Sequence, residues 1–159
     1  MVLENICSII QGYLDLENGQ VYLRQEKISL PKDFKFSISV GFIGSGRSLG
    51  TTRRGTTSET VSTTMAHNVV IEIYGRTFDV LTKKDEIILA VNSSLSMEIQ
   101  QKNGFYIAPN PSTQNDLSGL DGAAIPYRFQ LTFPIQYKVE KTKTQSYYAS
   151  FEREVKTNA

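Results

Sequence analysis

The chain is poor in reactive side chains: 159 residues hold one cysteine, one histidine and no tryptophan. With Cys7 alone, a disulfide framework within the chain is excluded. Cys7 and His67 together cannot supply the four ligands of a structural zinc site. Cys7 lies on an apolar helical face and reads as a buried, inert thiol. No apolar run approaches the ~20 residues that a helix needs to cross a bilayer. The opening MVLENICSII carries Glu4 and lacks a basic stretch, so it does not read as a signal peptide. Low cysteine usage points the same way, toward a cytoplasmic setting. Neither sign of charge dominates, with 17 Lys+Arg against 16 Asp+Glu and a net charge of +1. Overall charge therefore gives no support to a nucleic-acid binder, and any basic function has to be local.

What is present suits one globular domain: 40 % hydrophobic and 21 % charged residues over a length that one core can fill. Leu3, Ile6, Ile9, Ile10, Tyr13 and Leu14 recur at helical spacing, and Glu17-Asn18-Gly19 closes that segment with a turn. QVYLRQ (20–25) is a short strand candidate. Phe34, Phe36, Ile38, Val40 and Phe42 alternate with small or polar residues, as a half-buried strand does. Val69, Ile71 and Ile73 mark a second strand. Thr77 is placed to cap a helix that begins near Phe78 and runs to about Lys102, with Asn103-Gly104 as its stop. FYIAP (105–109) reads as a short strand and YRFQLTFPIQYKV (127–139) as a long one. Pro134 removes a backbone donor there, which favours an edge or a bulge. Polar loops are expected over 44–67 and 110–126, and a polar tail over 140–159. The expected fold class is α+β. A mostly antiparallel or mixed β-sheet would carry two helices packed on one face, with a long β-hairpin loop arm.

The stretch GFIGSGRS (41–48) matches the phosphate-binding pattern G-x-x-x-x-G-K-[ST] except that Arg47 replaces the lysine. A phosphate loop must run straight into a helix, so that backbone N–H groups and the helix N-terminus face the anion. The residues that follow, LGTTRRGTT, oppose a helix with two glycines and four threonines. No later strand ends in a clear magnesium-holding Asp. Nucleotide hydrolysis is therefore disfavoured, and the glycines read as hinges of an extended arm. That arm bears Arg47, Arg53 and Arg54 against Glu59, a local charge of +2. Long polar connections of this kind are usually functional, and this one suits binding to another subunit, to a sheet edge or to a phosphate backbone.

Other chemistry finds little footing. His67 has no G-x-S-x-G partner and reads as a surface or loop histidine. Asp85 and Glu86 read as a solvated helix face beside Lys83 and Lys84. Asn92-Ser93-Ser94 fits the glycosylation pattern but falls in mid-helix. Tyr147, Tyr148 and Phe151 form an aromatic group in a polar tail. They either pack back on the core or anchor in a neighbouring subunit.

Four stretches together resemble the phage neck and tail terminator proteins. They are GSGRSLGTTRR (44–54) after a strand, KKDEIILAVNSSLSMEIQQKNGFYIAP (83–109), Tyr127-Arg128-Phe129 with its long strand, and Tyr137 to Tyr148 with KTKTQSYY. They span most of the chain, and none is a catalytic motif. The resemblance implies a structural virion protein of the tail and neck, assembled in the host cytoplasm, without enzymatic activity, cofactor or membrane. Such a protein forms a homo-hexameric ring that ends tail-tube growth and joins the tail to the head. Implied partners are the tail tube protein, head-side connector or neck proteins and, as a further candidate, the tail sheath protein. DNA passes through the lumen without sequence-specific binding. The resemblance places Arg53 and Arg54 at subunit contacts or toward the lumen, and Arg47, Tyr147, Tyr148 and Phe151 join them as candidate interface residues. The competing reading is a nucleic-acid-binding module that uses the basic loop 47–54.

Overall fold

The structure is a computed structural model that describes residues 1–24, 34–55, 58–119 and 127–144. The described elements run α1 (Val2–Tyr13), β1 (Val21–Leu23), β2 (Phe36–Arg54), β3 (Ser58–Gly75), α2 (Asp79–Val91), α3 (Ser94–Asn103), β4 (Phe105–Ile107), β5 (Thr113–Asp116) and β6 (Tyr127–Thr144). This is an α+β fold. One sheet has the order β1-β2-β3-β6-β4, and β5 also pairs with β6. Among the described strands only β1 runs parallel to its neighbour, and the other pairings are antiparallel.

Alternation on the long strands builds the core. Ile38 and Val40, Val69, Ile71 and Ile73, and Phe129, Leu131, Phe133 and Ile135 turn to one sheet face. They join Leu3, Ile6, Ile9 and Ile10 of α1 and Val80, Ile87, Ala90 and Val91 of α2 in a single cluster. Tyr13, expected on the α1 stripe, is instead 43 % exposed. Gly12 lies so close to α3 that an added Cβ would sit 3.3 Å from Leu95 Cδ2. A larger residue there would require the Leu95 side chain to give by a few tenths of an ångström.

The single long helix expected over 78–102 is two helices, so three helices cover the sheet rather than two. Asn92 and Ser93 divide them. The Asn92 amide donates to the carbonyls of Ile88 (2.8 Å) and Pro109 (2.7 Å), which closes α2. The Ser93 hydroxyl accepts from the Ser96 N–H (3.1 Å), which opens α3. Thr77 does not cap α2; its hydroxyl donates to Asp79 Oδ2 at 3.3 Å. Gly104 ends α3 in the left-handed region at φ 64°, as the Asn103-Gly104 signal implies.

The polar loops hold more strand than their composition suggests. β2 and β3 remain paired to Arg54 and Thr60, so most of 44–67 is ladder. β6 runs on to Thr144, five residues past its expected end, and pairs with β3 down to Ser58. Within 110–126, Thr113–Asp116 pairs with β6. Pro134 lies in the gap where β4 has ended and β5 has not begun. The edge or bulge expected at Pro134 is not found: it pairs with Asn68 of β3, and its carbonyl accepts from Ala108 N–H at 2.9 Å. Its missing donor falls where no ladder pair is made between β4 and β5. We expect Ser93→Ala to lower stability by about 1 kcal/mol, read as a shift in urea midpoint without a change in slope.

Candidate functional site

β2, β3 and β6 leave the core together as a three-stranded arm. β2 contributes residues 44–54, β3 58–68 and β6 138–144. At about 3.3 Å per residue, eleven residues of β2 extend about 35 Å. Only β3 is paired on both sides here. β2 beyond its β1 partners and β6 beyond its β4 partners are open edges among the described residues.

GFIGSGRS lies inside β2, and each glycine has a local reason. An added Cβ at Gly41 would sit 2.8 Å from Arg24 Cβ, so its absence lets Arg24 lie against the strand. Gly44 has φ 71° and begins a register shift in which residues 44–46 face His67 alone. A Cβ at Gly46 would fall 2.3 Å from His67 Cδ2. His67 is not a loop histidine. It is a half-buried residue of β3, its ring 4.3 Å from that of Phe42, and Nδ1 finds no hydrogen-bond partner among the described residues. Phe42 stacks in turn on Tyr137 at 6.1 Å. The glycines thus form a bulge over an aromatic wedge, at the point where the arm leaves the core.

A second register shift, between Ser48 and Gly50, adds one residue to β2 and fixes where the arginines point. Arg47 is opposite Ala66 and Arg54 opposite Thr60, so both share one face of the arm. Arg53 is opposite Val61 and takes the other face, where its Nε lies 4.0 Å from Glu59 Oε1. The Arg53-Arg54 pair is therefore split across the sheet. Tyr147, Tyr148 and Phe151 lie outside the described residues.

The Arg47 face is paved with small hydroxyls. Thr52 and Ser62 hydroxyls meet at 2.8 Å, and Thr60 and Thr142 at 2.9 Å. A concavity of about 680 Å3 is lined by Arg54, Lys138, Glu140 and residues that include Thr52, Ser62 and Thr64. At the arm's base a second one, of about 400 Å3, is lined by Ser45, Arg47, Asn68, Tyr106 and Gln136 among others. The opposite face carries Val61, Thr63, Val139, Lys141 and Lys143. Sequence reasoning left Lys141 and Lys143 in a polar tail. The signal was there in the continued alternation of KVEKTKT, but nothing local showed which strand it would join.

The second notable cluster lies on the sheet face away from the helices. Glu72, only 6 % exposed, sits in one row with Ser39 and Gln130. Its Oε1 accepts from Gln130 Nε2 (3.2 Å) and Arg128 Nη2 (3.3 Å), with Arg24 Nη2 at 3.5 Å. Burial first, and then the Glu72 charge, push the Tyr22 phenol up to about 12. Through Arg24, which follows β1, the cluster ties that strand to β3 and β6 electrostatically. Among the described residues, no group of three or more His, Cys, Asp or Glu could hold a metal ion, and no helix is long and apolar enough to cross a membrane. Asp85 and Glu86 are held by Lys84 and Lys83, as expected of a helix face.

Comparison with protein-family models and with curated proteins gives no match to the chain.

Gly46→Ala is expected to destabilise the protein by about 1–3 kcal/mol, and His67→Ala in the same chain to recover part of that loss in chemical denaturation. Tyr22 gives a pH signature. Its folded pKa lies above the unfolded value of 10, so between pH 10 and about 12 the unfolded chain loses a proton that the folded one keeps. Stability is therefore expected to fall across that window, with a smaller fall in Tyr22→Phe, followed by melting temperature against pH.

Proposed function

We propose that this protein is a structural subunit of a phage tail or neck, a terminator that closes a homo-hexameric ring and works without catalytic turnover. The observation that carries this reading is the arm. Three long strands leave an α+β body and extend about 35 Å beyond its core, with open edges and two solvent-facing sides. A sheet extension of this size gains little for its own chain, because residues 47–55 are exposed throughout. It offers surface to neighbours instead. A closed ring needs two different, complementary surfaces on each subunit, and a body with a projecting arm supplies two. The tail tube on one side and head-side connector proteins on the other are the partners this reading requires.

The glycine-rich stretch fits the same picture. It runs within a strand and bulge, where no helix N-terminus faces an anion. Its Arg47, Arg53 and Arg54 project from an arm and do not converge on a pocket floor.

The reading is tested by removing the arm while keeping the body. Residues 49–63 are replaced by Asn-Gly, which joins the strands near the Ser48–Met65 pair, and particle mass and symmetry are measured by native mass spectrometry and electron microscopy. The intact chain is expected to form six-fold rings, alone or on purified tail tubes, and the shortened chain to fold but remain outside them. Intact chain that stays monomeric even with tubes, or shortened chain that still closes rings, sinks the reading.

A further inference from the structure

The charge of the chain is not evenly spread. Along β2 and β3 the arm carries Arg47, Arg53 and Arg54 against Glu59, and β6 adds Lys138, Lys141 and Lys143 against Glu140. Six cations against two carboxylates give the arm +4. The other described residues hold seven cations against nine carboxylates, or −2. Residues 145–159 hold two of each and do not offset the arm. A protein with a net charge of +1 thus concentrates its positive charge on one projecting sheet.

The geometry points to a sequence-independent binding surface for a nucleic-acid phosphate backbone on the Arg47–Arg54–Lys138 face of the arm. Each of the two concavities on that face has a guanidinium, Arg54 in one and Arg47 in the other. Neutral donors surround them: threonine and serine hydroxyls in the first, and Ser45, Asn68, Tyr106 and Gln136 in the second. Among the described residues no ion pair joins Arg47 or Arg54 to a carboxylate. Glu140, the acid of this face, is held by Lys138. Glycine and small hydroxyls keep the surface low, so a backbone can approach the cations.

Three features select a phosphate backbone over a protein strand or a base edge. Both open edges resist added strands, because β2 carries two register shifts and β6 carries lysines. Leu49 is the one large apolar residue lining the larger concavity, so the aromatic and aliphatic anchors of a protein interface are missing there. Three strands spaced about 4.8 Å apart make a ribbon roughly 14 Å across, too broad for a major groove about 12 Å wide. The arm therefore lies along phosphates and does not read bases.

This surface does not depend on the ring reading and is tested separately. Binding of the full chain to duplexes of two unrelated sequences is followed by fluorescence anisotropy across a range of salt. Equal affinity for both sequences is expected, with a log–log salt slope of about −3 for three phosphate contacts. Arg47→Gln with Arg54→Gln should bring the slope to about −1. Lys141→Gln with Lys143→Gln removes the same charge from the opposite face and should leave it unchanged. Matching thermal melts establish that both variants fold. No binding at low salt, equal losses from the two variants, or polyglutamate bound as tightly as duplex would each overturn the proposal.

Discussion

The structure depends on the pairing of β3 along its whole length with β2 on one side and β6 on the other. At one end of that strand the ladder is a core element, with Val69, Ile71 and Ile73 beneath the helices. At the other end the same strands form an exposed arm, with β3 and β6 in unbroken register and β2 shifted twice against β3. The antiparallel β3–β6 ladder runs without a shift from Gly75 to Ser58 and carries position along its length. The packed half therefore anchors the exposed half, and the arm needs no core of its own. Its hydroxyl pairs and its Arg53–Glu59 contact are weak surface terms. They tune the arm more than they hold it.

Where the ladder passes from body to arm, the strand is altered and not interrupted. The Gly44–Gly46 bulge admits His67, and His67 with Phe42 and Tyr137 fills the space just beyond the helices. A bulge increases local twist and redirects the strand. A second shift, between Ser48 and Gly50, adds one residue and reverses the parity of β2 beyond it, which places Arg54 on the face of Arg47 and sends Arg53 to the far side. The Glu72 cluster plays a related part on the other face of the body. There a carboxylate removed from water is compensated by Gln130, Arg128 and Arg24, which joins elements distant in sequence.

Much of the body was legible because its signals are local. Period-two alternation in FKFSISVGFI and YRFQLTFPIQYKV identified two long strands and the correct inward faces. Helical spacing in LENICSII identified α1, and Asn103-Gly104 its counterpart stop at the end of α3. The division at Asn92-Ser93 was missed because the apolar spacing continues across it, although Ser93 is a good N-cap. Hydrophobic periodicity outweighed capping chemistry there. The hairpin arm was expected, but not how far its strands stay paired, because strands solvated on both faces carry no apolar alternation. Threonine-rich, glycine-bearing sequence resembles loop unless its partner strand is known.

The sequence alone determined the α+β class, the inward faces of the long strands and the failure of GFIGSGRS as a nucleotide loop. Each of these follows from periodicity or from what the next few residues permit. Tertiary structure decided that β6 joins the arm, that Arg53 and Arg54 part company, and that Glu72 meets two arginines. Those facts depend on register between segments tens of residues apart. A one-residue shift in register reverses a face, and no local pattern records which shift the chain adopts.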